Sequence, residues 1–185
     1  MKDLISINDL SAQQMEGLFL LAEEAKKNKS KFAGALTGKS IALIFQKPSN
    51  RTRVSFEVGM YQLGGNSIYL APDEINLGVR ESIEDVAKTL SRYVDGIVIR
   101  TFAHKIVTDL AKYASVPVIN GLSDFSHPCQ ALADILTIKE KKGVIKGLTL
   151  AYVGDGNNVT HSLLYACAKA GMNMHVGSPK GYEPD

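Results

Sequence analysis

Residues 40–65 read SIALIFQKPSNRTRVSFEVGMYQLGG, and the fold is decided there. Ser40–Gln46 is a short, β-rich apolar run without the polar alternation of a half-exposed strand. After Lys47-Pro48 comes Ser49, a good N-cap, and then a helical pattern from about Arg51 to Leu63, stopped by Gly64-Gly65. A buried strand followed directly by a helix is half of a β-α-β unit.

The same alternation runs outward in both directions. Upstream, Ser11 and Gln14 form a capping box, and Met15, Leu18, Phe19, Ala22 and Ala25 recur at helical spacing. Downstream, strands are predicted at Asn66–Leu70, Gly96–Arg100, Pro117–Ile119, Leu148–Val153 and Met174–Val176. Between them, a helix opens at Ser82 and Asp85 with Val86, Leu90 and Tyr93 on one side; others cover Ile106–Ala114, Pro128–Lys139 and Val159–Ala170. The expected fold class is α/β, a parallel sheet with helices on both faces. Lys141–Gly147 is charged and punctuated by glycine, so the expected division is a first domain over 1–143 and a second, similar one beginning at 144–185. The second piece amounts to one β-α-β unit, too small to bury a core alone.

Composition removes several function classes. The 185 residues carry 21 Lys+Arg against 19 Asp+Glu, a formal charge of +2, and no basic run is dense enough for a nucleic-acid footprint. No apolar stretch approaches the roughly 18 residues of a membrane span. The start, MKDLISINDL, lacks the apolar centre of a signal peptide, so a cytoplasmic location is expected. Cys129 and Cys167 stand far apart without a CxxC pair, and no metal site is readable. Gly34-Ala-Leu-Thr-Gly38-Lys39-Ser40 imitates a P-loop, but its glycines are one residue too close and it precedes a strand instead of following one. Gly154-Asp-Gly156-Asn-Asn lacks the third glycine of a dinucleotide fingerprint.

The chemistry concentrates beyond the strands. A helix capped by Ser49 turns unpaired N–H groups and the positive end of its dipole outward, a ready anion site. Arg51 and the Thr52 hydroxyl add a charge and a donor suited to phosphate oxygens. A cation on the first turn opposes the dipole, which favours an anion between them. Arg100 ends one strand, and His127-Pro128-Cys129-Gln130 starts a helix after another. Ligands of open parallel sheets bind beyond the strand C-termini, so all three sets converge on one edge.

These segments carry a resemblance. Ser49-Asn50-Arg51-Thr52-Arg53 after a strand, the loop Leu77-Gly78-Val79-Arg80-Glu81-Ser82, Arg100, HPCQALAD (127–134), GDGNNVTHSL (154–163) and SPKGYEPD (178–185) resemble the aspartate/ornithine carbamoyltransferase family over the whole chain. Aspartate-using members typically have HPTQ in place of HPCQ and lack the Asp155–Asn158 stretch, so the pattern falls on the ornithine side. The resemblance implies transfer of a carbamoyl group from carbamoyl phosphate to the δ-amine of L-ornithine, giving citrulline and phosphate as in arginine biosynthesis, with no metal or organic cofactor. It implies that Ser49, Asn50, Arg51 and Thr52 hold the phosphate, that Arg100 and His127 hold the carbonyl oxygen, and that Gln130 holds the carbamoyl amide, with Pro128 and Cys129 lining the site. Arg100, His127, Thr52 and Arg51 carry the catalytic roles. Asn158 matches a contact to the ornithine backbone. Asn76 falls where many members place a longer glutamine that reaches a neighbouring subunit's site, and Arg80 lies in the same loop. Asn50 replaces a more usual threonine. The family implies a homotrimer. Aspartate, putrescine or an acetylated ornithine as acceptor, and a non-catalytic carbamoyl-phosphate-binding domain, stay open at this level.

Overall fold

The computed structural model describes residues 2–185. A 3₁₀ turn at Ile7–Asp9 precedes α1 (Ala12–Lys27) and α2 (Lys29–Phe32); then come β1 (Ser40–Phe45), α3 (Asn50–Gln62), β2 (Asn66–Leu70), α4 (Pro72–Ile75), α5 (Ile83–Leu90) and β3 (Gly96–Arg100). The chain continues as α6 (His104–Tyr113), β4 (Val118–Leu122), α7 (Pro128–Lys142), β5 (Thr149–Val153), α8 (Asn158–Ala170) and β6 (Asn173–Gly177). The first sheet has the order β2-β1-β3-β4 and every pair in it is parallel. β5 and β6 form a second, parallel pair.

Strand periodicity divides the core. Ala42 and Ile44 of β1 and Ile97 and Ile99 of β3 share one face with Val86 and Ala87 of α5 and Val107 and Leu110 of α6. Leu43, Phe45 and Val98 point to the other face, where Phe56 of α3 packs against them. Both faces are therefore covered, as the unalternating runs require. The edge at β4 is closed by the N-terminal segment: the Leu4 N–H donates to the Val118 carbonyl at 2.9 Å, and the Val118 N–H donates to Asp3 Oδ1 at 2.8 Å.

Element types follow the sequence, with instructive differences. β4 runs on to Leu122, although Asn120-Gly121 reads as a turn; the Asn120 side chain instead donates to the Ile5 carbonyl at 2.9 Å from a fully buried position. α6 begins at His104, two residues early, because its N–H finds Asp124 Oδ1 at 2.7 Å from across the sheet edge. α7 continues to Lys142 and is released where Gly143 takes a φ of 75°. Tyr93 does not share a helix face with Val86 and Leu90: α5 ends at Leu90, and Tyr93 is exposed. The short α2 and α4 leave too little periodicity to be read.

The β5-α8-β6 unit does not rest on its own core. Leu163, Ala166 and Cys167 of α8 join Met15 and Phe19 of α1 and Ala131 and Ile135 of α7 in one buried cluster. The far face of the β5–β6 pair, with Thr149, Ala151, Val153 and His175, is exposed. A shared core couples the stabilities of the two pieces. Ile135→Ala removes a fully buried side chain at the junction and should cost about 2–5 kcal/mol. Hydrogen exchange is expected to accelerate in α8 as much as in α7 itself; acceleration confined to α7 would show that the two pieces are not coupled.

Candidate active site

Strand order creates the place for a site. β2 lies on one side of β1 while β3 and β4 lie on the other, so chain progression reverses at β1 and leaves a crevice beyond the C-termini of β1 and β3. β1 leads into the N-terminus of α3, and Arg100 is the last residue of β3. The two segments with the clearest anion chemistry are thus delivered by the two strands that flank the crevice.

Ser49 is extended (φ −158°, ψ 121°), and its Oγ accepts the Thr52 N–H at 3.3 Å. The remaining first-turn N–H groups of α3 have no intrahelical partner. Arg100 Nη1 donates to Thr52 Oγ1 at 3.4 Å, joining the end of β3 to the start of α3. The β3–β4 register shifts between Ile99 and Arg100, so Gly121 is the extra residue of a bulge. A Cβ at Gly121 would lie 3.3 Å from the Ile99 carbonyl oxygen, a tight contact, and 3.7 Å from Thr52 Cγ2, so glycine eases the close approach of the bulge to β3 and α3.

The result is a cleft of about 630 Å³ bordered by Ser49, Arg51, Thr52, Arg100, His127 and Gln130, with Cys129 and Asp134 also on its wall. Its electrostatics are unbalanced. Arg53 is paired with Glu57 at 2.9 Å and lies over the Tyr69 ring, but Arg51 and Arg100 enter none of the ion pairs among the described residues. Arg100 Nε and His127 Nδ1 are buried without a hydrogen-bond partner. Burial, and then the neighbouring Arg51, pushes the Arg100 pKa below its ordinary value. Burial, reinforced by Arg100, pushes the His127 imidazole down to about 4. Unpartnered buried nitrogens and a crowded cation give the cleft an electrostatic character suited to an anion.

The wall opposite α3 is braced from α8. The His127 N–H donates to Ser162 Oγ at 2.8 Å, and Asn158 Nδ2 donates to the Ser123 carbonyl at 2.6 Å. Phe125 stacks on His161 at 4.8 Å between centroids and packs tilted against His104 at 5.6 Å. Gln46 clamps the edge: its N–H donates to the Arg100 carbonyl at 2.8 Å, its Oε1 accepts the Thr101 hydroxyl, and its Nε2 donates to the Leu77 carbonyl at 3.2 Å.

Of the residues singled out in the sequence, Ser49, Arg51, Thr52, Arg100, His127, Cys129 and Gln130 come together. Pro128 is buried as the first residue of α7. Asn50 faces a neighbouring groove with Val54 and Val58. Asn76 is the left-handed cap of α4 (φ 48°), and Arg80 donates to the Glu74 carbonyl at 3.4 Å. Neither lines the cleft, and Asn158 is tied to backbone, with its neighbour Val159 at the cleft instead. Burial pushes the Cys129 thiol up to about 11, which unsuits it as a nucleophile. Asp134, Ser55 and Phe56 line the cleft without having been singled out. Asp134 alone left a signal, its place four residues after Gln130 on one helix face. Among the described residues no cluster of three His, Cys, Asp or Glu could hold a metal ion, and no helix is long and apolar enough to cross a membrane.

Comparison with known proteins fits this geometry. Residues 2–140 match the family model described as the carbamoyl-P binding domain of aspartate/ornithine carbamoyltransferase, and residues 146–185 match its Asp/Orn binding domain. The chain is 59% identical to an ornithine carbamoyltransferase of Thermococcus kodakarensis, covering 100% of this chain and 59% of that one. It is 55% identical to that of Bacillus subtilis, covering 98% of this chain and 56% of the other. Two solved ornithine carbamoyltransferases superpose on all of it. That of Pyrococcus furiosus does so with a TM-score of 0.97 at 54% identity over 59% of its length, and that of Thermus thermophilus with 0.94 at 47% over 64%. The chain thus spans about three-fifths of the length of these relatives. Matched by both domain models from residue 2 to the last residue, the chain belongs to the aspartate/ornithine carbamoyltransferase family.

Proposed function

We propose that the cleft binds carbamoyl phosphate and that a protein of the relatives' full length transfers its carbamoyl group to the δ-amine of L-ornithine. The observation that carries this is the pair of unpaired guanidinium groups, Arg51 and Arg100, at the N-terminus of α3. The relatives, named ornithine carbamoyltransferases, support the choice of acceptor. In the reaction the amine lone pair attacks the carbamoyl carbon, a C–N bond forms, and the C–O bond to phosphate breaks with its electron pair. The proton lost by the amine leaves with the phosphate. Negative charge grows on the carbonyl oxygen and on the leaving group, so fixed donors are the catalysts required. Arg51, Ser49 and the α3 N–H groups face the phosphate in this reading; Arg100, Thr52 and His127 face the carbonyl oxygen, and Gln130 the carbamoyl nitrogen.

We further infer a division near residues 143/144 into a carbamoyl-phosphate domain and the start of an ornithine domain. The family models supporting it meet between 140 and 146. On the acceptor side only Val159 reaches the cleft, so orientation of ornithine draws on residues the longer relatives possess. Assembly as a trimer accords with the apolar outer face of α3, where Val54, Val58 and Tyr61 are exposed.

Calorimetry tests the site. Arg51→Ala should weaken binding of carbamoyl phosphate and of inorganic phosphate by about 1.5–3 kcal/mol, the size of a charge-assisted contact. In a full-length protein Arg100→Ala should lower kcat by about 10²–10³, as for loss of an oxyanion donor. Unchanged phosphate affinity in the first variant, or a loss confined to KM in the second, would overturn these assignments.

His127 offers a second test. Its folded pKa of about 4 lies below the ordinary 6.5, so the unfolded chain binds more protons between those values. Its contribution to stability should therefore be absent above pH 6.5 and turn destabilising as pH falls toward 4. A phosphate anion in the cleft opposes Arg100 and should raise the value. NMR titration of the imidazole is expected to show a midpoint near 4 without phosphate and a higher one with it; a midpoint near 6.5 that phosphate does not move would contradict the arrangement.

A further inference from the structure

Asp134 is out of place in an anion site. It lines the cleft with Arg51 and Arg100, where a carboxylate repels phosphate. It enters none of the ion pairs among the described residues. Its partner is neutral: one turn earlier on α7, Gln130 Nε2 donates to Asp134 Oδ1 at 2.9 Å.

The chemistry of that bond is directional. A glutamine amide has a donor end and an acceptor end of nearly equal shape, and rotation about its last bond exchanges them. An ionised carboxylate only accepts, so it holds the NH₂ end and rejects the carbonyl end. Oε1 is then the end left for a ligand. A site that must recognise an NH₂ group needs an acceptor there, and a glutamine free to flip would offer a donor part of the time.

We propose that Asp134 is a positioning residue: it locks the Gln130 amide so that the cleft presents a hydrogen-bond acceptor and selects an acyl phosphate bearing NH₂ over one bearing an apolar group. This rests on the reading of the cleft as a carbamoyl-phosphate site. Asp134 touches no substrate in this arrangement; it acts through Gln130. Its presence weakens the hold on phosphate and is compensated by discrimination at the other end of the same ligand. A polar group that a wrong ligand leaves unpaired once it covers the cleft is the usual source of such selectivity.

Calorimetry on the chain with three probes separates the outcomes: carbamoyl phosphate, acetyl phosphate, in which methyl replaces NH₂, and inorganic phosphate. Asp134→Ala is mild for folding, since alanine is the better helix former. The variant should reduce the preference for carbamoyl over acetyl phosphate by about three- to tenfold, the worth of one neutral hydrogen bond. Its affinity for inorganic phosphate should stay level or rise. Gln130→Ala should show the same lost preference, and Asp134→Ala added to it should cause no further loss. An unchanged preference in Asp134→Ala would overturn the proposal. So would a parallel loss of all three affinities, the mark of a merely structural role. An unaltered chain that binds phosphate but does not prefer carbamoyl to acetyl phosphate would overturn the reading of Gln130 and this proposal with it. An unaltered chain that binds none of the three would fail one step earlier, at the anion site.

Discussion

Two guanidinium groups and the positive end of a helix are held together in one cleft with no ion pair to either guanidinium among the described residues, and much of the structure serves to keep them there. Arg100 is fixed by its strand and by its contact to Thr52; Thr52 is fixed by the Ser49 cap. What they hold in place, a cation on the first turn of a helix and a buried Arg100 Nε without a partner, is unfavourable for the fold itself. A cation at a helix N-terminus opposes the dipole, commonly by about 0.3–1 kcal/mol, and an orphaned buried donor costs about 1–3 kcal/mol. Such costs persist where a ligand removes them; burial first, and the neighbouring cation second, hold the pKa values of Arg100 and His127 low.

The rest of the fold follows from that constraint. Positioning Arg100 beside Thr52 needs β1 and β3 to be neighbours, which the order β2-β1-β3-β4 provides. Bringing His127 and Gln130 to the same place needs β4 to end one strand further along, and the bulge at Gly121 lets it pass under α3. The wall carrying His127 is then braced by α8 through Ser162 and through the His104–Phe125–His161 stack. The shared core of α1, α7 and α8 makes this bracing rigid, so the piece that supplies little to the cleft itself still helps to hold its shape.

Much of this was legible in the chain. Apolar runs such as SIALIF and GIVIR carry the β period and the burial in their composition, and Ser11, Ser49 and Ser82 cap helices as their spacing predicts. The converging set Ser49, Arg51, Thr52, Arg100, His127, Cys129 and Gln130 could be read because ligands of parallel sheets gather at one edge, whereas Asn50 in the same run faces a neighbouring groove. Other features depend on tertiary contacts that local sequence does not carry. Asn120-Gly121 reads as a turn until the Ile5 carbonyl and the bulge make it strand. The early start of α6 depends on Asp124, twenty residues away in sequence. Asp134 looks like an ordinary helix surface residue until the cleft and the Gln130 amide are placed beside it. Asn158 shows the reverse case: its motif points to a ligand, while its side chain is held by the Ser123 carbonyl.

The central claim is that the cleft stores uncompensated positive charge for an anion, and stability measured with and without phosphate tests it most directly. Arg51→Met keeps most of the side-chain stem and removes the charge that faces the phosphate. Without phosphate the variant should be as stable as the unaltered chain or more so. Phosphate at about 100 times its Kd should stabilise the unaltered chain by roughly 2.7 kcal/mol and the variant far less. A variant that is less stable without phosphate, yet gains as much from it as the unaltered chain, would show that Arg51 is a structural cation and that the cleft does not store charge for a ligand.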